Sequence, residues 1–232
     1  MPAFRGSEGG NYTPMPSPIS PILLKGGLVL LDAATSAVRR VIALQYNPEE
    51  VSRSLQVSAA GGEGGDRSEA MRLKGPPVET IRIKAEMDAV DQLEFPGQNA
   101  TAVEVGLQPQ LAVLETIVYP ESSRMLANNM LANLGMIEIT PMEAPLVLFV
   151  WSKSRVVPVR ITELSITEKA FDPLLNPILA EVSLGMRVLS VDDLGFSSKG
   201  GSLYMAYQMM KESLSRRAAD APLSGLGIQG SL

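Results

Sequence analysis

Residues 41–57, VIALQYNPEEVSRSLQV, run from an apolar strand through an Asn-Pro break into an alternating strand. Asn47-Pro48 ends the first strand, since proline brings no N–H to a ladder and pushes the residue before it into an extended conformation. Beyond the break Val51, Leu55 and Val57 share one face with Arg53 among them, and Ser52, Ser54 and Gln56 share the other. Residues 76–89, PPVETIRIKAEMDA, repeat the pattern, with Ile81, Ile83, Ala85 and Met87 against Arg82, Lys84 and Glu86. Period-two alternation with one wet face is the signature of an antiparallel sheet covered on one side. Neither stretch carries a group able to do chemistry.

The same reading extends outward. Residues 22–32 predict a strand with a bulge or bend at Gly26-Gly27, and residues 38–46 a second one. The run 61–69, GGEGGDRSE, is a loop tip. Residues 109–119 change to helical spacing, with Leu111, Leu114 and Ile117 or Val118 on one side, Pro109 in the first turn and Pro120 at the stop. This helix is expected to lie over a barrel mouth or sheet edge. Residues 122–140 leave helix and turn open. The run 145–151, PLVLFVW, reads as a strand buried on both faces. From 156 to 168 the apolar phase slips between Ile161 and Leu164, which predicts a β-bulge. Phe171-Asp172-Pro173 turns the chain, and residues 178–188 alternate again. The expectation is a mainly β chain, an antiparallel β-barrel or sandwich with one flanking short helix and a C-terminal helix. Its parts are a flexible arm over 1–21, a β domain over 22–193, and a helix and tail over 194–232.

Composition narrows function. The chain of 232 residues has no cysteine and no histidine, which excludes disulfides, thiolate nucleophiles, Cys/His metal sites and imidazole acid–base chemistry. A net charge of −5 with no basic run gives nothing to neutralise a phosphate backbone, so no nucleic-acid partner is expected. No uncharged apolar run reaches membrane-spanning length and no secretory signal opens the chain, so synthesis in the cytoplasm without membrane insertion is expected. Chemistry by carboxylates alone stays open. Glu49-Glu50, Asp88 with Asp91, and Asp192-Asp193 are the candidate pairs, and each reads more simply as solvated turn residues. The glycine pairs at 61–65 and 200–201 lack any phosphate-loop pattern, and no serine sits in a nucleophile motif. No catalytic, cofactor or metal residue is assigned.

The C-terminal helix is the one candidate site. Gly200-Gly201 reads as a hinge, Ser202 as the cap, and the helix runs to about residue 218. Leu203, Tyr207, Met210 and Leu214 form one stripe, while Tyr204, Met205 and Met209 add a second. Met fills irregular cores well, so these residues suit a core. A helix apolar on two stripes cannot bury both against one sheet, so the segment is also a candidate docking helix. A chain lacking residues 203–232 is expected still to fold.

Four segments in order, 43–55 (ALQYNPEEVSRSL), 76–94 (PPVETIRIKAEMDAVDQLE), 109–120 (PQLAVLETIVYP) and 145–189, resemble the tube-initiator, or tube-adaptor, proteins of contractile injection systems, the phage-tail-like particles. The resemblance spans roughly residues 22–192. It implies a tail-tube fold and a homo-hexameric ring between the central spike and the inner tube, in contact with baseplate subunits. Many relatives carry a C-terminal LysM module, and residues 194–232 show no such pattern. The C-terminal helix, with the N-terminal arm, is expected to supply the baseplate contact instead. An inner-tube subunit of the same machine is the alternative, with a carboxylate-dependent enzyme or a β-barrel ligand-binding protein as readings of another class.

Overall fold

The computed structural model describes residues 24–32, 35–58, 72–135, 144–220 and 226. The arm over 1–21, the loop tip over 61–69, the end of the ambiguous stretch at 136–140 and most of the final tail lie outside the described residues. Seven strands, β1 (Gly27–Leu31), β2 (Val38–Ala43), β3 (Val51–Gln56), β4 (Val78–Asp88), β5 (Leu146–Ser152), β6 (Arg155–Phe171) and β7 (Pro177–Val188), form one sheet in the order β2-β1-β5-β6-β7-β4-β3. Every neighbouring pair is antiparallel. The helices are α1 (Val90–Leu93), α2 (Ala100–Val105), α3 (Gln108–Val118), α4 (Ser122–Asn133), α5 (Val191–Leu194) and α6 (Lys199–Ser215). The mainly β, antiparallel expectation with flanking helices holds.

Register follows from burial. Opposite β7, β4 places Ile81, Ile83 and Ala85 against Met186, Leu184 and Val182. On the other side β6 pairs Ile161 with Met186, then Leu164 with Leu184 and Ile166 with Val182. The shift between Ile161 and Glu163 is the predicted bulge. Without that extra residue Leu164 and Ile166 would face solvent, because a one-residue slip flips every later side chain. One aliphatic core results, in which Leu28, Ile81, Phe149, Val157, Val182 and Met186 are buried together with Leu107, Leu111, Leu114 and Ile117 of α3. The helix predicted over 109–119 therefore covers the inner face of the sheet through the leucines its spacing picked out. Residues 122–133, left open by the sequence, are helical and bury nothing.

The sheet is not a closed barrel, and no ladder joins β2 to β3. Six antiparallel steps separate these strands, so both run in the same direction. The seven residues 44–50 join them, whereas side-by-side parallel strands need a crossover of roughly a dozen residues or more. The segment instead works as one line handed from β1 to β4. At its start the Leu44 N–H donates to the Gly26 carbonyl at 2.9 Å. Asn47 Oδ1 then accepts from the Gly26 N–H and its amide donates to the Leu24 carbonyl, both at 2.8 Å. The Gln45 amide donates to the Asp88 carbonyl at 2.7 Å and accepts from the Asp88 N–H at 2.9 Å, as a strand residue would. Polar side chains thus bridge the gap that a backbone ladder would fill.

Two further expectations need correction. No bulge stands at Gly26-Gly27, and β1 is irregular at Leu30/Leu31 instead. A Cβ on Gly27 would meet the Ile42 carbonyl oxygen and one on Gly26 the Trp151 ring, so these glycines permit close approach. The second strand ends at Ala43 rather than 46, because Gln45 and Asn47 have turned to bridge the seam.

Replacing Gln45 by Ala leaves the Asp88 N–H and carbonyl without their partner. The expected cost is about 1–3 kcal/mol, read as a lower urea midpoint with unchanged slope. A midpoint equal to that of the unmodified protein would mean that the seam is held by other contacts.

Candidate assembly surfaces

Glu79 begins the inner-face series of β4, two residues before Ile81, and is only 3% exposed. A charge placed there needs partners. Arg53 on β3, which the alternation had put among apolar residues, supplies the first with Nε at 2.8 Å. Tyr207 of α6 donates its hydroxyl to the same carboxylate at 3.1 Å and accepts from Arg53 at 2.9 Å. Lys211 stands 3.7 Å from the other carboxylate oxygen and 4.3 Å over the Tyr207 ring. Burial works to lower the Arg53 pKa, but the hydrogen bond and charge of Glu79 outweigh it and hold the guanidinium above its ordinary value. Burial first, and Glu79 second, push the Tyr207 hydroxyl up, so it stays a donor at neutral pH. This cluster pins α6 to the β3 edge. Sequence reading missed Glu79, although extending the parity of Ile81, Ile83 and Ala85 backward by one step reaches it.

The cluster divides the predicted docking helix. Its inward stripe is Gly200, Tyr204, Tyr207 and Lys211, which takes one residue from each predicted stripe. Tyr204 and Tyr207 are buried in the core, and Leu203 and Met205 are half-buried. Met209, Met210 and Leu214 are exposed at 57%, 39% and 45%. Gly200-Gly201 is no hinge: both glycines lie in the first helical turn, and a Cβ on Gly201 would run into the Gly195 carbonyl. Ser198, not Ser202, caps the helix by accepting from the Gly201 N–H at 2.9 Å. With two buried tyrosines on α6, the expectation that the chain folds without residues 203–232 gives way to one of marked destabilisation.

Three further surfaces carry apolar side chains. On β2, at one end of the sheet, Val38 and Val41 are exposed, and on the β3 side Leu55 and Val57. Helix α4 shows Met125, Leu126 and Met130 to solvent, with Leu134 just beyond it. Isolated exposed apolar residues are ordinary, but a helix that buries none of its own leucines or methionines is a candidate contact surface.

On the outer face several carboxylates gather. A cleft of about 700 Å³ lies under the 46–50 loop, with Glu49, Glu50, Glu86, Glu163 and Glu181 on its walls. Glu181 is already engaged by Lys84 at 2.9 Å and Lys169 at 2.8 Å. The hydrogen bond from Lys169, then that from Lys84, holds its pKa down at about 2, which suits a clamp across β4, β7 and β6 rather than a proton carrier. Asp193 is committed to the Ser190 cap of α5 and to Arg187, and Asp88 accepts from the Val90 N–H. Among the described residues no group of three or more carboxylates is placed to hold a metal ion, and no helix is long and apolar enough to cross a membrane.

No family model matches the chain, and no curated protein matches it. Among solved structures, a chain from the tail of an empty gene transfer agent particle with C6 symmetry is similar at 13% identity and a TM-score of 0.28. A chain from the virion of the native particle is similar at 13% identity and a TM-score of 0.27. Each likeness covers 70% of this chain and 90% of the other. At these scores they carry no argument about function.

Two outcomes test these sites. Glu79→Gln keeps shape but removes the charge that Arg53 and Lys211 answer, and is expected to cost roughly 1–3 kcal/mol in chemical denaturation. Glu181 has a folded pKa below its ordinary 4.5, so its contribution is present above that value and disappears as pH falls toward about 2. The melting-temperature gap between the unmodified protein and Glu181→Gln should be open at pH 7 and closed near pH 2. A gap that persists in acid would remove the clamp from the account.

Proposed function

We propose that the chain is a non-enzymatic structural subunit of a phage-tail-like contractile injection particle. In this reading it forms a hexameric ring that links the central spike to the inner tube, initiates tube assembly and contacts the baseplate. The observation that carries the reading is the pair of strands that end the sheet, β2 and β3, each with one neighbouring strand among the described residues and with exposed valines and a leucine. Such edges are an aggregation hazard for a monomer, and a ring of copies is one way to cover them. The four ordered segments that resemble tube initiators give the class, and the resemblance supports six copies.

The division into arm, β domain and C-terminal segment belongs to the same proposal. Met209, Met210 and Leu214 on the outer face of α6 are the residues assigned to baseplate docking in place of a LysM module, and α4 adds a second contact face. Leu203, Tyr204, Met205 and Tyr207 hold that face in position from the inner side. The chain carries no cofactor in this reading, its partners are proteins, and it is assembled in the cytoplasm into a particle. A bulk inner-tube subunit of the same machine is the second reading, which the same two end strands would serve.

Negative-stain imaging of the purified protein across concentrations separates these readings. Single rings support the initiator, long tubes the inner-tube subunit. A monomer at every concentration, unchanged by added spike and tube proteins, would overturn both. Replacing Met209, Met210 and Leu214 by Gln, Gln and Asn should keep the melting temperature within a few degrees and abolish attachment to baseplate proteins in a pull-down.

A further inference from the structure

Arg39 and Arg40 stand side by side on β2, where regular alternation would send one side chain to each face of the sheet. The ladder to β1 breaks at this point. Leu30 pairs with Arg40 and Leu31 with Val38, so Arg39 is the extra residue of a β-bulge. Both arginines line one hollow of about 480 Å³, between β2, the C-terminal end of α3 and the first turn of α4. Arg124 of α4 lines it as well. A bulge re-aims side chains, and here it turns neighbouring guanidinium groups to the same space instead of to opposite faces.

The charges of this hollow do not balance. Among its lining residues the carboxylate is that of Glu121, which takes Arg39 Nη2 at 3.2 Å on Oε1 and stands 3.5 Å from Arg124 Nε through Oε2. Arg40 has no hydrogen bond or ion pair among the described residues. Arg39, Glu121 and Arg124 are each about half-exposed, so their polar ends stay within reach of a ligand. Each guanidinium has five N–H donors, and one carboxylate shared between two of them leaves most unused. Of the acids nearby in sequence, Glu115 precedes Thr116 without lining the hollow, and Glu143 lies outside the described residues. Three cations against one anion is a local excess in a chain whose net charge is −5.

The remaining wall is apolar or aromatic. Val118 and Tyr119 are exposed there, and Ile117, Val118, Ala144 and Pro145 are shared with a second groove of about 560 Å³ that carries Leu146, Leu189 and Leu194. The charged residues of that groove are Arg160, Lys199 and Asp32, whose carboxylate accepts from Thr35. A ligand that reaches both spaces must offer carboxylates at one end and apolar side chains at the other. A nucleic acid needs cations spaced along a backbone track, and this site is a single hollow with apolar walls. We infer that the hollow takes an acidic segment of another protein, its carboxylates held by Arg40, Arg39 and Arg124 and its apolar side chains laid in the Leu146–Leu189–Leu194 groove. A planar guanidinium binds a carboxylate through paired N–H···O bonds, which selects that geometry over negative charge in general. The site uses none of Val38, Val41, Leu55 and Met209, on which the ring and docking reading rests, so either can fail without the other.

Fluorescence anisotropy on the full chain tests this, with a short labelled peptide of alternating Glu and Leu. Comparison peptides carry Gln in place of Glu, or Ser in place of Leu. The Glu–Leu peptide is expected to bind saturably and less tightly as salt rises, the Glu–Ser peptide more weakly, and the Gln peptide not at all. Arg40→Gln should weaken binding about tenfold. Arg40→Lys should recover only part of that loss, since an ammonium keeps the charge without the fork. Glu121→Gln should tighten binding, because it frees Arg39 and Arg124, and a purely structural role for Glu121 would give no such gain. Equal binding of the Glu and Gln peptides, or affinity untouched by Arg40→Gln and Glu121→Gln, would overturn the proposal. Tighter binding of an oligothymidine through the same arginines would overturn it too. So would a lower melting temperature for Arg40→Gln, matched by Glu138→Gln with Glu143→Gln and with no peptide bound, which would assign the hollow to the chain's own residues 136–143. Circular dichroism shows that each variant is folded; should Arg40→Gln unfold, Arg124→Gln takes its place.

Discussion

Gln45 and Asn47 carry a task that backbone normally carries. The line of chain through β2 and β3 pairs first with β1 and then with β4, so it cannot pair with itself, and the sheet meets across side-chain amides. Everything else is arranged around that seam. The sheet curls because its two ends share one connecting segment, the curl makes one enclosed aliphatic face, and α3 and α6 cover that face. Because the segment is shared, each half has one neighbouring strand among the described residues, so the device that closes the core also places β2 and β3 at the two ends of the sheet.

Charge inside the fold follows the same logic of placement. The Glu79 carboxylate sits where β3, β4 and α6 converge, and its three partners come from elements distant in sequence. Removing one member exposes the others to an uncompensated environment, which couples the seating of the C-terminal helix to the state of the β3 edge. The Glu181 clamp on the outer face is exposed and easily screened, so it tunes the sheet without deciding it.

The strands were legible because their apolar residues repeat at period two, and even the β6 bulge showed as a slip from Ile161 to Leu164. Helix α3 was legible from Leu111, Leu114 and Ile117 with prolines at both ends. Closure was not: alternation reports which face is buried and is silent on which strands are neighbours. The α6 stripe was misread because Gly200-Gly201 looks like a break in sequence, while in space it is the only way the first turn can approach the Gly195 carbonyl. Glu79 escaped notice because a glutamate on a buried face makes sense only once Arg53, Tyr207 and Lys211 stand beside it. The Arg39-Arg40 pair reads in sequence as an isolated solvated pair, and the bulge that brings both to one hollow is visible only in three dimensions.

The exposed faces of α4 and α6 rely heavily on methionine, with Met125 and Met130 on one and Met209 and Met210 on the other. Unbranched thioethers adapt to a surface of imprecise shape. In a chain without cysteine, these four are the exposed sulfur-bearing side chains among the described residues. Conversion to sulfoxides makes them polar while the aliphatic core keeps its packing, so oxidative exposure changes these two faces before it changes the fold.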